Sequence, residues 1–205
     1  MNEEPRVRGG NARAADVLPM KQAIAMVRYL RGAGKLHESA LVAVASGFGL
    51  RISDALALRW GDLLDERGNL RQSVNLRERK TGKSRTAHVL PFVVEALDAL
   101  HAVSAPGTVD ALVFPGPDGV RPLHRQSAWN LVRRTGEEMG LALHLSPHSL
   151  RKAFCDHVYE QTRDPAMTAR ITGHSNPAQL LRYINRVPEA EEAVWRKMER
   201  ATARA

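Results

Sequence analysis

Residues 171–185 read ITGHSNPAQLLRYIN. The stretch opens as a helix start. Ser175 and Asn176 can cap free N–H groups, and Pro177 suits the first helical position because it has no N–H to leave unpaired. Gln179 to Ile184 continue the helix, with Leu180, Leu181 and Ile184 as its buried face. Tyr183 falls on the flank of that stripe, nine positions after a Gly-His turn. The chain has only three tyrosines, and one on a helix flank is ordinarily a packing residue with a wet hydroxyl. The rest of the chain decides whether this one is more.

The 205 residues fit one domain with a sizeable core. Net charge is +8, with arginine far outnumbering lysine. The planar arginine fork grips phosphate through two parallel hydrogen bonds, so nucleic acid is favoured over a membrane surface as partner. Cys155 is the only cysteine, which excludes an internal disulfide, and no Cys/His spacing suits structural zinc. No apolar run is long enough to span a bilayer, and MNEEPRVRGG at the N-terminus has no hydrophobic signal core. These features predict a soluble, cytoplasmic protein without a membrane partner.

Residues 1–17 are polar and aperiodic and read as a flexible leader. Met20, Ala23, Ile24, Val27 and Leu30 recur at helical spacing, predicting a helix over Pro19–Leu30 that ends at RGAGK. A second helix is expected over Glu38–Phe48, and GFGLRIS turns the chain into a third, over Ser53–Trp60. Between Asn69 and Leu90, Val74 and Leu76 alternate with polar residues, KTGK supplies a turn and RTAHVL returns, which is the pattern of a β-hairpin. After Pro91 the chain reads as helical, punctuated by APG, FPGPDG and LSPH. The fold class is therefore mostly α with a small antiparallel β-sheet (α+β).

From Pro188 the tail PEAEEAVWRKMERATARA carries glutamates first and Arg196, Lys197 and Arg200 later, an order that complements the helix dipole. Ala190, Val194, Trp195, Met198 and Ala201 form a narrow apolar stripe, so a helix over 188–205 needs a surface to dock on.

Several short stretches can carry chemistry. HSLR places His148 and Arg151 three residues apart, on one helix face behind a Ser146-Pro147 start. Arg51 sits between apolar Leu50 and Ile52, and such a cation needs a partner. Asp54 or Asp62 is the internal choice, and an anion bound at the helix end is the external one. Lys80 enters the hairpin turn and Lys83 leaves it, as surface lysines often do.

Each of these is weak alone. In order, GLRISDALALRWGDL, RKTGKSRTAHVLP, LVFPG, LSPHSLRKAF and ITGHSNPAQLLRYI resemble the tyrosine recombinase, or phage integrase, family over roughly Leu18–Val187. The resemblance implies that residues 18–187 are a catalytic domain. It matches Arg51 to the first catalytic arginine, Lys80 to the hairpin lysine, and His148 with Arg151 to the central pair. His174 then matches a His-or-Trp position and Tyr183 the nucleophile, while Tyr29 and Tyr159 match no motif and are left as packing residues. Asp54 stands where the family commonly has Glu.

The implied reaction is DNA strand cleavage and rejoining through a 3′-phosphotyrosyl ester. Arg51, Arg151 and His174 face the phosphate oxygens, Lys80 is the acid for the 5′-oxygen, and His148 is the base for the tyrosine or its positioner. No metal or other cofactor is implied, because arginines supply the positive charge. The expected partners are double-stranded DNA and further copies of the chain, with a tetrameric synapse on DNA and the C-terminal helix packing on a neighbouring protomer. Arg77, Arg79, Lys83, Arg85, Arg121, Arg125, Arg133 and Arg134 are candidate DNA contacts.

Many family members carry another DNA-binding domain ahead of the catalytic one. Here the alternatives are a naturally minimal enzyme, like the short fimbrial-switch inverting enzymes, or a fragment of a longer chain. Two other functions stay open: a DNA-binding regulator that keeps the fold without the chemistry, and a type IB topoisomerase-like activity that shares the same site.

Overall fold

The computed structural model describes residues 14–79, 82–104, 107–186 and 191–203. Helix α1 (Met20–Gly32) buries Ala23, Val27 and Leu30 of the expected stripe and adds Met26, while Met20 and Ile24 are half-buried, and Pro19 stands at its N-cap. Gly34 follows in a left-handed conformation, φ 73°, and turns the chain back. Helix α2 (Leu36–Gly47) is buried along its whole length from Ser39 to Gly47. A helix without a polar face has to lie inside the molecule. Accordingly α1 packs on one side of α2, and two later helices, over Pro91–Ser104 and Pro147–Thr162, cover others.

Where the sequence suggests one helix over Ser53–Trp60, the structure has two short ones, α3 (Ile52–Ala55) and α4 (Trp60–Leu63). The intervening chain is taken by tertiary pairing. Arg59 forms an antiparallel bridge with Leu112, Val113 N–H donates to Leu58 O at 2.9 Å, and Trp60 N–H donates to Ala111 O at 3.0 Å. These bonds require an extended backbone at Arg59 (φ −109°, ψ 156°), which no helix permits.

The hairpin forms as expected from β1 (Ser73–Arg77) and β2 (Ser84–His88), in register from Ser73↔His88 to Arg77↔Ser84. Val74, Leu76 and Ala87 face the core. Helix α5 (Pro91–Ser104) follows; Gly47 of α2 lies so close to it that a Cβ there would sit 2.2 Å from Val93 Cγ2. Residues 107–124 are not helical, since Pro115, Pro117 and Pro122 lack donors and the chain pairs instead through Arg59↔Leu112 and Pro115↔Pro122.

Helix α6 (Arg125–Glu138) and helix α7 (Pro147–Thr162) come next, the latter capped by Ser146 Oγ, which accepts from His148 N–H at 3.2 Å. Helices α8 (Pro165–Thr172) and α9 (Pro177–Tyr183) complete the body, and α10 (Glu191–Thr202) ends the described chain. Asp164 and Asn176 cap α8 and α9, each accepting from two backbone N–H groups. Two apolar clusters result. The large one joins α1, α2, α5, the hairpin and the start of α7, while the small one gathers Phe154, Cys155, Ala169, Leu180, Leu181 and Ile184. The small cluster seats the helix that ends in Tyr183.

Residues 15 and 16, the end of the leader in the sequence reading, are tied down. Ala15 O accepts from Lys152 Nζ at 2.8 Å, and Asp16 exchanges bonds with the His144 backbone at 2.7 and 3.0 Å. Residues 1–13 lie outside the described residues, as do Lys80 and residues 187–190.

Candidate active site

Arg51 occupies the N-cap position of α3, directly after a left-handed Gly49 (φ 60°) and Leu50. A side chain at residue 49 is barred twice over, because a Cβ there would lie 2.2 Å from Phe154 Cδ1. The cation is partnered by neither Asp54 nor Asp62. Asp62 caps the Arg59 N–H at 2.8 Å, and Asp54 accepts from the Arg79 N–H at 3.4 Å. The partner is Glu78, whose Oε2 lies 2.6 Å from Arg51 Nη1.

Glu78 also meets Arg151. Arg151 projects from α7 and is buried, donating to Gly49 O at 2.8 Å, to Glu78 Oε1 at 3.4 Å and to Thr172 O at 3.5 Å. One buried carboxylate therefore sits between two guanidiniums that lie a hundred residues apart in sequence. The sequence reading missed it. A signal was present: Glu78 continues the inward-facing alternation of Val74 and Leu76, and an acid on a buried face needs a cationic partner.

His148 lies in the first turn of α7, on the Arg151 side. Burial, then the charges of Arg151, Lys152 and Arg51, hold its imidazole below the usual histidine range. His174 follows the left-handed Gly173 that ends α8. Burial and the neighbouring arginines push it down to about 4, so the ring is neutral near neutral pH. Its Nδ1 lies 2.7 Å from Thr172 Oγ1, which in turn donates to Thr168 O at 2.8 Å. Thr172 is thus a second residue of the site that sequence motifs did not reveal.

Tyr183 closes the group. Its ring is 5.5 Å from that of His174, and its hydroxyl donates to the His148 backbone carbonyl at 3.4 Å. Burial first, then the nearby Cys155, raises its pKa, against the opposing pull of Arg151 and Arg51. The hydroxyl is therefore protonated near neutral pH. Lys152, also absent from the sequence expectation, places Nζ 5.5 Å from the centre of the same ring. The fold brings Arg51, His148, Arg151, His174 and Tyr183 to one place, and Lys80 lies outside the described residues. Tyr29 is exposed, not a packing residue, and donates to Glu138 at 3.2 Å, while Tyr159 packs against the small cluster as expected.

The basic residues expected at DNA divide by environment. Arg77, Arg79 and Lys83 are exposed along the hairpin, and Arg125 is exposed at the start of α6. Arg85 is turned inward instead, donating to Phe48 O with its guanidinium 5.8 Å from the Phe154 ring centre. Arg121 pairs with Asp118 at 3.2 Å, Arg133 with Glu137 at 2.6 Å and Arg134 with Glu138 at 3.6 Å. Among the described residues no three His, Cys, Asp or Glu side chains gather as metal ligands, and no helix is long and apolar enough to cross a membrane.

The model of the phage integrase family matches residues 16–189. Tyrosine recombinase XerD of Corynebacterium glutamicum is 32% identical over 168 residues, covering 78% of this chain and 52% of that protein. Tyrosine recombinase XerC of Xylella fastidiosa is 30% identical over 143 residues, 69% of this chain and 46% of that one. The chain thus spans about half the length of these relatives. Among solved structures, XerA recombinase superposes with a TM-score of 0.70 at 19% identity, over 92% of this chain and 66% of that one. XerH site-specific recombinase, in a post-cleavage complex with palindromic difH substrate, gives 0.67 at 19% identity, over 89% of this chain and 53% of that one.

Proposed function

The chain belongs to the phage integrase family, and we propose that it is a site-specific DNA recombinase that cuts and rejoins strands through a 3′-phosphotyrosyl ester. The observation that carries the reading is the convergence of Tyr183, His174, Arg151 and Arg51 on one site from four separate segments. A DNA-binding module has no use for a half-buried tyrosine grouped with a histidine and two arginines.

Tyr183 Oη attacks the scissile phosphorus, the P–O5′ bond breaks, and the new Oη–P ester stores its energy. The tyrosine proton passes to His148 or to water that it orients, and Lys80 protonates the departing 5′-oxygen. Arg51 and Arg151 neutralise the non-bridging oxygens in the transition state, with His174 beside them. A 5′-hydroxyl from a second strand reverses the attack, so neither ATP nor ligase enters. The two guanidiniums supply the charge that Mg²⁺ supplies elsewhere, and the reaction needs no metal.

The substrate is double-stranded DNA, held by residues 18–187 as catalytic domain with Arg77, Arg79, Lys83 and Arg125 on phosphates. Arg121, Arg133 and Arg134 reach DNA only by leaving their acidic partners. On DNA the copies assemble as a tetrameric synapse, with α10 of each docking on the next. Trp195 and Met198, which are exposed on α10, support that contact; the other members of the expected stripe, Ala190, Val194 and Ala201, lie outside the described side chains. Deleting residues after Pro188 should weaken assembly on paired sites more than binding to one site, and normal recombination by the truncated protein would refute the docking.

The deciding experiment is trapping on nicked suicide duplexes drawn from the cognate genome. A covalent protein–DNA band that vanishes with Tyr183→Phe establishes the chemistry. Persistent cleavage by that variant would remove Tyr183 from its role.

A further inference from the structure

We infer that Glu78 is a positioning residue that stands in for the phosphate in the DNA-free protein and hands Arg51 over when DNA arrives. The inference rests on the recombinase reading of the site. Its two carboxylate oxygens divide between the two arginines, Oε2 at 2.6 Å from Arg51 and Oε1 at 3.4 Å from Arg151. That is how a phosphate would bridge the same pair with two oxygens. The carboxylate is enclosed, its side chain 2% exposed, and a Cβ on Gly173 would lie 3.2 Å from Oε1.

The two arginines are not held equally. The Arg151 side chain is 4% exposed and also donates to the carbonyls of Gly49 and Thr172, so it stays in place whatever Glu78 does. The Arg51 side chain is 30% exposed, and its remaining N–H groups are open to a ligand from outside. An incoming phosphate therefore competes with Glu78 for Arg51, while Arg151 continues to neutralise the carboxylate. Without that neutralisation a buried carboxylate beside a phosphate would repel it strongly.

Glu78 also ties the site to the hairpin turn. Its N–H donates to Lys83 O and its carbonyl accepts from Gly82 N–H, both at 2.8 Å, so it closes the base of the hairpin turn. Any shift of the carboxylate as Arg51 leaves is passed to the base of that turn. The arginine pair and the base of the turn are thereby joined through one residue.

The test uses the full chain and three proteins: wild type, Glu78→Gln and Glu78→Asp. The amide offers one acceptor oxygen in place of two and removes the competing charge. Glu78→Gln should bind inorganic phosphate about tenfold more tightly in calorimetric titration without DNA. At saturating nicked duplex it should form the covalent adduct about tenfold more slowly, because one arginine is no longer aimed. Glu78→Asp keeps two acceptors with a shorter reach and should fall between the two in both measurements. A purely structural role predicts lower thermal stability without this opposition of affinity and rate.

Unchanged phosphate affinity in Glu78→Gln overturns the surrogate role, and a wild-type rate overturns the positioning role. If that variant fails to fold, Glu78→Asp decides alone, and its matching wild type in both measurements overturns the inference. If wild type forms no adduct with any duplex, the recombinase reading fails, and the phosphate titration still decides what Glu78 does.

Discussion

The Tyr183 hydroxyl donates to the backbone carbonyl of His148, at 3.4 Å, and not to its imidazole. The hydroxyl thus rests on main chain, and burial holds its pKa above the usual tyrosine range. His148→Ala leaves that carbonyl in place. The variant should fold, bind duplex with near wild-type affinity, and form the phosphotyrosyl adduct about 10²–10³-fold more slowly, as loss of acid–base assistance does. Single-turnover cleavage at saturating DNA reads this directly; a rate within threefold of wild type, about the noise of such assays, would strip His148 of its role.

The helix bearing Tyr183 packs Leu180, Leu181 and Ile184 against Phe154, Cys155 and Ala169, and Leu180 is completely buried. Leu180→Ala should lower stability by about 2–4 kcal/mol through lost burial and the cavity left behind. Amide exchange should rise first in α8 and α9, because few other apolar contacts hold them. Uniform acceleration across α2 as well would show that the two clusters unfold as one.

His174 titrates near 4 in the folded protein and near 6.5 when exposed. Between those values the unfolded state binds the extra proton, so this residue makes stability fall as pH drops from about 6.5 to about 4, with no further change below. His148, also shifted down, adds slope of the same sign. Replacing His174 by Asn should flatten the curve of urea midpoint against pH in that window; an identical curve would place the imidazole in solvent.

Exposed and inward arginines should separate in salt titrations. Arg77→Ala and Arg79→Ala should each reduce the slope of log K against log salt by about one, the loss of one phosphate contact. Arg85→Ala should leave the slope unchanged and lower the melting temperature, since Arg85 holds Phe48 O and covers Phe154. A reduced slope for Arg85→Ala would mean that it turns outward on DNA.

Arginine-based charge neutralisation predicts full strand cleavage in excess EDTA. Loss of cleavage that Mg²⁺ restores would point to metal-assisted hydrolysis.

Local chemistry wrote much of this protein plainly into its sequence. Asn176 and Pro177 start α9, Leu180, Leu181 and Ile184 bury its face, and Val74 and Leu76 mark the inward side of the hairpin. Such features depend on residues within one helical turn or one strand, so periodicity and capping suffice to find them. The order of Arg51, His148, Arg151, His174 and Tyr183 was legible too, as a resemblance. What the sequence could not settle was pairing across distance. Arg51 had two nearby carboxylates and took a third, on another element, because the hairpin aims Glu78 inward between two arginines. The helix expected over Ser53–Trp60 broke because Leu58, Arg59 and Trp60 found backbone partners near residue 112. Arg85 looked like a surface cation and turned inward onto a carbonyl and an aromatic ring. In each case a buried polar group must be satisfied by whatever the folded chain brings near, and only tertiary structure decides what that is.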